Sequence, residues 1–245
     1  MAVEKKRLDL LVCERYPQYS RQQIQSWIMQ GCVTVDQVVT TKAGMAVCFD
    51  QEIVLTAPEQ KYVCRAGYKL EKALDHFDIN PKGLVVLDAG LSTGGFTDCM
   101  LQRGAARVYG IDVGYGQVHE KIRQDPRVIV KEKTNLRYLT ELPELVDLVT
   151  LDLSFISIIK VMNAVCSLLK PSGQLVVLIK PQFESKKHEV GHGGVIIDSV
   201  VHDRVVKEVT TGIQQYGFEL VGVTESPIKG IAGNKEFLAY FKRKN

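Results

Sequence analysis

The sequence predicts two pieces of different architecture: a small α+β unit at the N-terminus and an open, mainly parallel α/β sheet after it. Hydrophobic periodicity changes near residue 60, from two short helical stretches and three alternating strands to seven strand-like segments separated mostly by helical ones. The change coincides with a junction, Ala57-Pro58-Glu59-Gln60-Lys61. A length of 245 residues suits one medium domain with a small appendage. The boundaries are drawn at 1–57 for the first domain, 58–66 for a linker and 67–245 for the second.

In the first piece, Leu8, Leu11 and Val12 share one helical face, and Pro17 stops the run. Ser20-Arg21-Gln22-Gln23 has the form of a capping box, with Ile24, Trp27 and Ile28 at helical spacing behind it and Gly31 as terminator. Val33-Thr34-Val35, Val38-Val39-Thr40 and Ile53-Val54-Leu55 read as strands, with turns at Asp36-Gln37 and Asp50-Gln51. An amphipathic helix reaches about Phe77, and Pro81-Lys82-Gly83 ends it. The strands of the second piece are read at Leu84 to Asp88, Val108 to Asp112, Val128 to Val130, Val146 to Asp152, Leu175 to Lys180, Leu220 to Glu225 and Phe237 to Phe241.

Composition narrows the class. The chain is 45% hydrophobic and 24% charged, too apolar for disorder. Its apolar runs fall far short of the roughly 20 residues that span a bilayer, and the first residues lack a secretory hydrophobic region. A net charge of +3 is too mild to prove nucleic-acid binding. Six cysteines without a CxxC pair read as buried thiols in a reducing compartment, so the cytoplasm is expected and neither a disulfide framework nor a metal.

The informative segment is Asp88-Ala89-Gly90-Leu91-Ser92-Thr93-Gly94-Gly95-Phe96, at the hand-over from the first strand of the sheet to a helix. Glycines there let a ligand approach the backbone, and a helix start offers free N–H groups. The spacing is not GxGxxG, which weakens a dinucleotide reading. Asp112 ends the next strand, roughly 20 residues on, where a carboxylate binds ribose hydroxyls. Strand, glycine turn, helix, strand and acid describe a nucleoside-bearing cofactor without a pyrophosphate, and S-adenosylmethionine fits best.

Two other motifs compete. Gly90-Leu91-Ser92-Thr93-Gly94 satisfies GxSxG, the hydrolase nucleophile elbow, but it follows the first strand of its domain and no HGGG segment precedes it. His188-Glu189-Val190-Gly191-His192 is a literal HExxH, but Gly191, Gly193 and Gly194 make a metal-binding helix poor, and a glycine-rich loop beside the active site is the favoured reading.

The N-terminal piece resembles the RNA-binding module first named for small-subunit ribosomal protein four, through Arg7-Leu8-Asp9, Ser20-Arg21, the run from Ile28 to Asp36 and Ile53. Phe49-Asp50 stands where that family usually has Gly-Asp. Arg7, Arg21 and Lys42 suit phosphate contacts. A wider resemblance spans nearly the whole chain, carried by Arg65-Ala66-Gly67-Tyr68-Lys69-Leu70, the glycine turn, Thr134-Asn135-Leu136-Arg137, Asp152-Leu153-Ser154-Phe155-Ile156-Ser157, Lys180-Pro181-Gln182-Phe183-Glu184 and Gly233-Asn234-Lys235-Glu236. In these motifs the chain resembles the hemolysin-named ribosomal RNA methyltransferases of the TlyA family, within the FtsJ-like group. It departs from them at Leu91, Cys64 and Ala66, where Ala, Ser and Gly are usual.

That resemblance implies a Rossmann-like methyltransferase domain with a seven-stranded sheet. It implies S-adenosylmethionine-dependent 2′-O-methylation of ribose in ribosomal RNA, typically at cytidine, by a tetrad at Lys69, Asp152, Lys180 and Glu236. Cofactor contacts are expected from Asp88, Gly90, Ser92, Thr93, Gly94, Gly95, Phe96 and Asp152, with Asp112 at the ribose and Asn135 or a neighbour at the adenine. RNA contacts are expected from Arg7, Arg21, Lys42 and Arg65, with ribosomal RNA or ribosomal subunits as partner, no membrane, and a monomer or weak oligomer. A ribose hydroxyl needs a base, and a lysine of ordinary pKa about 10.4 serves only when partly neutral, as burial or a nearby cation makes it. The expected division of labour makes Lys180 the base and Lys69 the nearby cation, with Asp152 and Glu236 orienting them. The rival classes are an inactive RNA-binding assembly factor and a membrane-lysing protein, for which no spanning segment or long basic amphipathic helix is present.

Overall fold

The computed structural model describes residues 5–56, 61–230 and 232–244. The chain divides into two compact units, Met1–Lys61 and Tyr62–Asn245. Most of the expected junction, Ala57 to Gln60, lies outside the described residues. Tyr62 to Arg65, within the stretch read as a linker, belong to the second unit: Tyr62 is buried, and the Val63 N–H donates to Asp98 Oδ2 at 2.8 Å. A Cβ on Gly67 would sit 2.3 Å from Tyr62 Cγ, so only glycine lets that ring pack.

In the first unit, strand β1 (Lys5–Arg7) runs into helix α1 (Leu8–Arg15), followed by α2 (Arg21–Met29). Ser20 and Gln23 form the capping box at the start of α2. Strands β2 (Val33–Val35), β3 (Val38–Thr40), β4 (Ala46–Cys48) and β5 (Ile53–Leu55) follow. Three make an antiparallel sheet of order β3-β2-β5, and β4 pairs with β1. Asp36 and Gln37, at φ 49° and 65°, make the tight hairpin turn between β2 and β3. The core packs Leu8, Leu11 and Val12 against Ile24, Trp27 and Ile28 and the inward face of β2. At the unusual Phe49-Asp50 turn, Arg15 donates to the Phe49 and Gln51 carbonyls, and the Gln51 side chain accepts the Cys48 N–H. Side chains thus close a turn that lacks glycine.

The second unit begins with α3 (Ala66–His76), then β6 (Val85–Ala89), α4 (Gly95–Gln102), β7 (Arg107–Ile111), the one-turn α5 (Glu120–Arg123), β8 (Val128–Lys131) and β9 (Val146–Leu151). It continues with α6 (Met162–Leu168), β10 (Leu169–Ile179), the one-turn α7 (Pro181–Glu184), α8 (Ser199–Gln214), β11 (Phe218–Glu225) and β12 (Phe237–Arg243). Seven strands form one sheet of order β11-β12-β10-β9-β6-β7-β8. The five from β6 to β10 run parallel to one another, and β12 lies antiparallel between β10 and β11.

Both faces of the sheet are covered, which explains why its central strands read as continuous apolar runs. Leu175, Val177 and Ile179 of β10 face a core shared with α6 and α8, whereas Val176 and Leu178 face one shared with α3 and α4. Among the described residues, no helix is long and apolar enough to cross a membrane.

Candidate active site

Parallel strands gather their carboxyl ends on one edge of the sheet, where open α/β sheets hold ligands. Here β6 delivers Gly90, β7 Asp112, β9 Asp152 and β10 Lys180. Strand β12 runs the opposite way, with Phe237 opposite Ile179, so the residue before it, Glu236, arrives at the same edge.

Two lysine–carboxylate pairs stand there. Lys69, on the first turn of α3, places Nζ 2.6 Å from Glu236 Oε2, and both side chains are nearly out of solvent. Glu236 is held by its surroundings: a Cβ on Gly230 would lie 2.5 Å from its Oε1. Just before it, the buried Asn234 accepts the Ile196 N–H at 2.9 Å and donates to the Gly194 carbonyl at 2.8 Å. Lys180 Nζ lies 2.6 Å from Asp152 Oδ1 and donates to Ser154 Oγ at 3.0 Å. Asp152 Oδ1 is buried and meets no aligned donor, so this pair is a contact of charges rather than a directed hydrogen bond.

Beside the second pair opens a cleft of about 580 Å³. Gly90, Ser92, Asp112, Asn135 and Asp152, all expected from the sequence at the cofactor, line it together with Val113, Arg137, Ser154, Phe155 and Lys160. Gly90 has φ 88°, and a Cβ there would lie 2.3 Å from the Asp152 carbonyl oxygen, so the turn touches the end of β9 only because this residue is glycine. Ser92 adopts φ 48°, unusual for a residue with a side chain, and its N–H donates to Asp112 Oδ2 at 2.7 Å. The Gly114 N–H donates to Asp112 Oδ1 at 2.7 Å, and Asn135 Oδ1 accepts the Arg137 N–H. Phe155, at φ 63°, is 90% exposed, with its ring 4.8 Å from that of Phe183.

Asp88, Thr93, Gly94, Gly95 and Phe96, expected from the sequence at the cofactor, do not line this cleft. Phe96 is buried in the core between the sheet and α3 and α4. Glycine at 94 and 95 lets α4 pack closely, since a Cβ would meet Ile122 at the first and Cys64 Sγ at the second. The Thr93 carbonyl accepts the His119 N–H. Asp88 is fully buried and accepts hydroxyl bonds from Thr97 at 2.6 Å and Thr150 at 2.9 Å. Burial, opposed by these hydroxyls and aided by the charge of Asp152, pushes its carboxyl up to about 6. These residues shape the wall from behind.

The competing motifs resolve by geometry. Among the described residues no hydrogen bond joins Ser92 Oγ to a histidine, and the His119 ring accepts the Lys121 N–H as a helix cap. The HExxH segment forms two 3₁₀ turns, Lys187–Glu189 and His192–Gly194, with Gly193 and Gly194 left-handed at φ 79° and 77°, and Glu189 is held by Arg204. No cluster of three metal-binding side chains occurs among the described residues.

In the first unit, Arg7 and Arg21 converge on Asp9, whose side chain is wholly buried. Gln25 adds a third donor at 2.6 Å. The Arg7 hydrogen bonds first, and those of Gln25 and Arg21 with them, hold the Asp9 carboxyl well below the usual carboxylate range against the cost of burial. Both arginines remain half exposed. Lys42 is exposed, as is Arg65 at the start of α3.

The FtsJ-like methyltransferase family matches residues 62–243. The chain belongs to that family. The S4 domain family matches residues 6–53. Within the FtsJ-like group it falls with the TlyA proteins: it is 42% identical over 241 residues to the Mycobacterium tuberculosis 16S/23S rRNA (cytidine-2′-O)-methyltransferase TlyA, covering 96% of this chain and 89% of that one. It is 40% identical over 239 residues to hemolysin A of Brachyspira hyodysenteriae, covering 96% and 99%. A solved Streptococcus thermophilus structure, described as a candidate hemolysin, superposes with a TM-score of 0.77 at 37% identity, covering all of this chain and 90% of that one. The cleft and the two ion pairs therefore lie in a methyltransferase domain, and Arg7, Arg21 and Lys42 in an S4 domain.

Proposed function

We propose that this protein transfers a methyl group from S-adenosylmethionine to a ribose 2′-oxygen in ribosomal RNA, at a cytidine. The observation that carries the reading is the position of Asp152, which lines the nucleoside-sized cleft and holds Lys180 at the same time. S-adenosylmethionine held in that cleft would lie beside Lys180, the base of this reading.

The cleft suits that cofactor. Its volume lies in the usual range for small-molecule sites. Gly90 permits close backbone approach, Asp112 has lone pairs left for ribose hydroxyls, and the Asn135 amide offers an edge to a purine. When bound, S-adenosylmethionine supplies an electrophilic methyl on its sulfonium. Lys180 Nζ takes the hydroxyl proton as the 2′-oxygen attacks. Asp152 and Ser154 fix the direction of Nζ, and Lys69, steadied by Glu236, places a cation for the developing alkoxide. Phe155 offers an exposed ring face on which the target base stacks. Arg7, Arg21 and Lys42 of the S4 domain and Arg65 bind phosphates.

Labelled methyl transfer to ribosomal subunits lacking the modification, with the modified ribose mapped, tests this reading. Label at a 2′-oxygen is expected with the wild type, and a fall of at least about 100-fold in turnover with Lys180→Ala. Full turnover by Lys180→Ala removes Lys180 as base. Absence of label with wild type that binds the cofactor favours a catalytically silent assembly factor.

A further inference from the structure

We propose that Glu184 is a positioning residue for the transfer, holding the loop that carries Asp152, Ser154 and Phe155 in register with Lys180. The proposal rests on the methyltransferase reading above and adds to it a residue that touches neither cofactor nor substrate.

The segment after β9, residues 152–157, has no regular structure, yet it supplies the carboxylate and the hydroxyl that hold Lys180. It also contains a left-handed phenylalanine with an almost fully exposed ring. Such a conformation persists only where its surroundings over-determine it. At its start the loop is fastened by the Asp152 N–H, which donates to the Ala89 carbonyl at 2.9 Å. At its far end the Ile158 N–H, which opens the following 3₁₀ turn, donates to Glu184 Oε1 at 2.8 Å. Between these ends the contacts run in step: Asp152 and Ser154 to Lys180, Phe155 to Phe183, and Ile158 to Glu184. Glu184 closes the series. Core packing of Ile158 also holds this end, but Glu184 supplies the hydrogen bond that sets its register with α7.

The choice of a carboxylate is informative. Glu184 is largely withdrawn from water, and burial pushes its carboxyl up, with the Ile158 N–H, the Ser157 hydroxyl and the charge of Lys160 opposing. Among the described residues, the backbone donor it satisfies is that of Ile158. A buried carboxylate costs stability that a neutral acceptor would not, and such costs concentrate where geometry serves function. What Glu184 supplies is therefore an acceptor at a fixed reach from α7, and reach rather than charge is the property that matters.

The test compares Glu184→Gln, Glu184→Asp and Glu184→Ala in the full chain, with kcat and KM for RNA, S-adenosylmethionine affinity and Tm measured for each. Glutamine keeps an acceptor at the same reach, whereas aspartate keeps the charge one methylene short. The expected pattern is kcat within about threefold of wild type for Glu184→Gln. For Glu184→Asp and Glu184→Ala, kcat is expected to fall at least tenfold, with cofactor affinity and KM within about twofold. Wild-type kcat in Glu184→Asp and Glu184→Ala overturns the proposal, as does a Glu184→Gln protein as slow as Glu184→Ala. If Glu184→Ala does not fold, the contrast of glutamine with aspartate decides alone. Wild-type protein that transfers no methyl group to RNA overturns the reading on which the proposal rests, and is seen before any variant is compared.

Discussion

Asp88→Asn is expected to stabilise the methyltransferase domain at neutral and alkaline pH and to leave it unchanged in acid. Asp88 lies beneath the glycine turn with two threonine hydroxyls and the Thr97 N–H as partners, and among the described residues no cation is bonded to it. Its carboxyl has a folded pKa of about 6 against an ordinary 3.8. Below about pH 4 the group is protonated in both folded and unfolded chains and costs nothing. Between the two values the unfolded chain has already released the proton while the folded one retains it, so stability falls as pH rises, and the loss is complete above pH 6. A difference of about two units at 1.36 kcal/mol each gives about 3 kcal/mol. Asparagine stays neutral, and because a threonine hydroxyl both donates and accepts, one of the pair turns to receive the amide N–H. A gain of about 2–3 kcal/mol raises Tm by about 5–10 °C for a domain of this size. Calorimetric melting of wild type and variant at pH 4 and pH 8 measures it. A Tm difference equal at both pH values, or a loss at pH 8, would refute the reasoning and show that the ionised carboxylate is compensated.

Two further outcomes are expected. Gly90→Ala puts a Cβ against the Asp152 carbonyl in a left-handed backbone, which costs at least about 1–2 kcal/mol before the end of β9 moves; titration calorimetry should find S-adenosylmethionine bound at least tenfold more weakly, and wild-type affinity would show that the turn does not bound the cofactor. Asp9→Asn removes the charge on which Arg7 and Arg21 converge and should cost the S4 domain about 2 kcal/mol. Trp27, the one tryptophan of the sequence, lies in that domain's core and reports its urea unfolding without interference from the larger domain. Because the Asp9 pKa is depressed on folding, the wild type's advantage is present above the ordinary value of 3.8 and disappears as pH falls through the lower folded value.

The sheet was legible because its strands are buried on both faces and announce themselves as apolar runs between glycine-rich breaks. The two-residue turn at Asp36-Gln37 and the capping box at Ser20 were equally readable, since each depends on neighbouring residues alone. Strands β1 and β4 were missed: three residues each, they pair with one another across the chain and show no alternation of their own. In the site, the sequence named the residues that meet at the sheet edge, but along the glycine turn it could not separate residues that face the cleft from those behind it. Asp88 adjoins a lining residue in sequence and Phe96 lies four positions beyond one, yet both are buried in the protein. That distinction arises from backbone conformation at Gly90, Ser92 and Gly94, which residue type permits but does not dictate. Glu184 was legible only as the end of a resemblance motif, and its contact was not, because a carboxylate ending a one-turn helix looks like ordinary surface until its partner 26 residues earlier in the chain is known.

Lys69 and Glu236 are 167 positions apart, and the strand that brings Glu236 to the sheet edge is the last of the fold. During synthesis, the S4 domain and the first five strands of the sheet leave the ribosome before that strand does. At that stage the nascent chain contains the glycine turn, Asp112, Asp152 and Lys180, but its buried Lys69 has no counter-charge. On the mechanism proposed above, competence for the reaction therefore waits on β12, which lies between β10 and β11. A chain stalled a few residues short of Glu236 would carry the S4 domain without the completed pair.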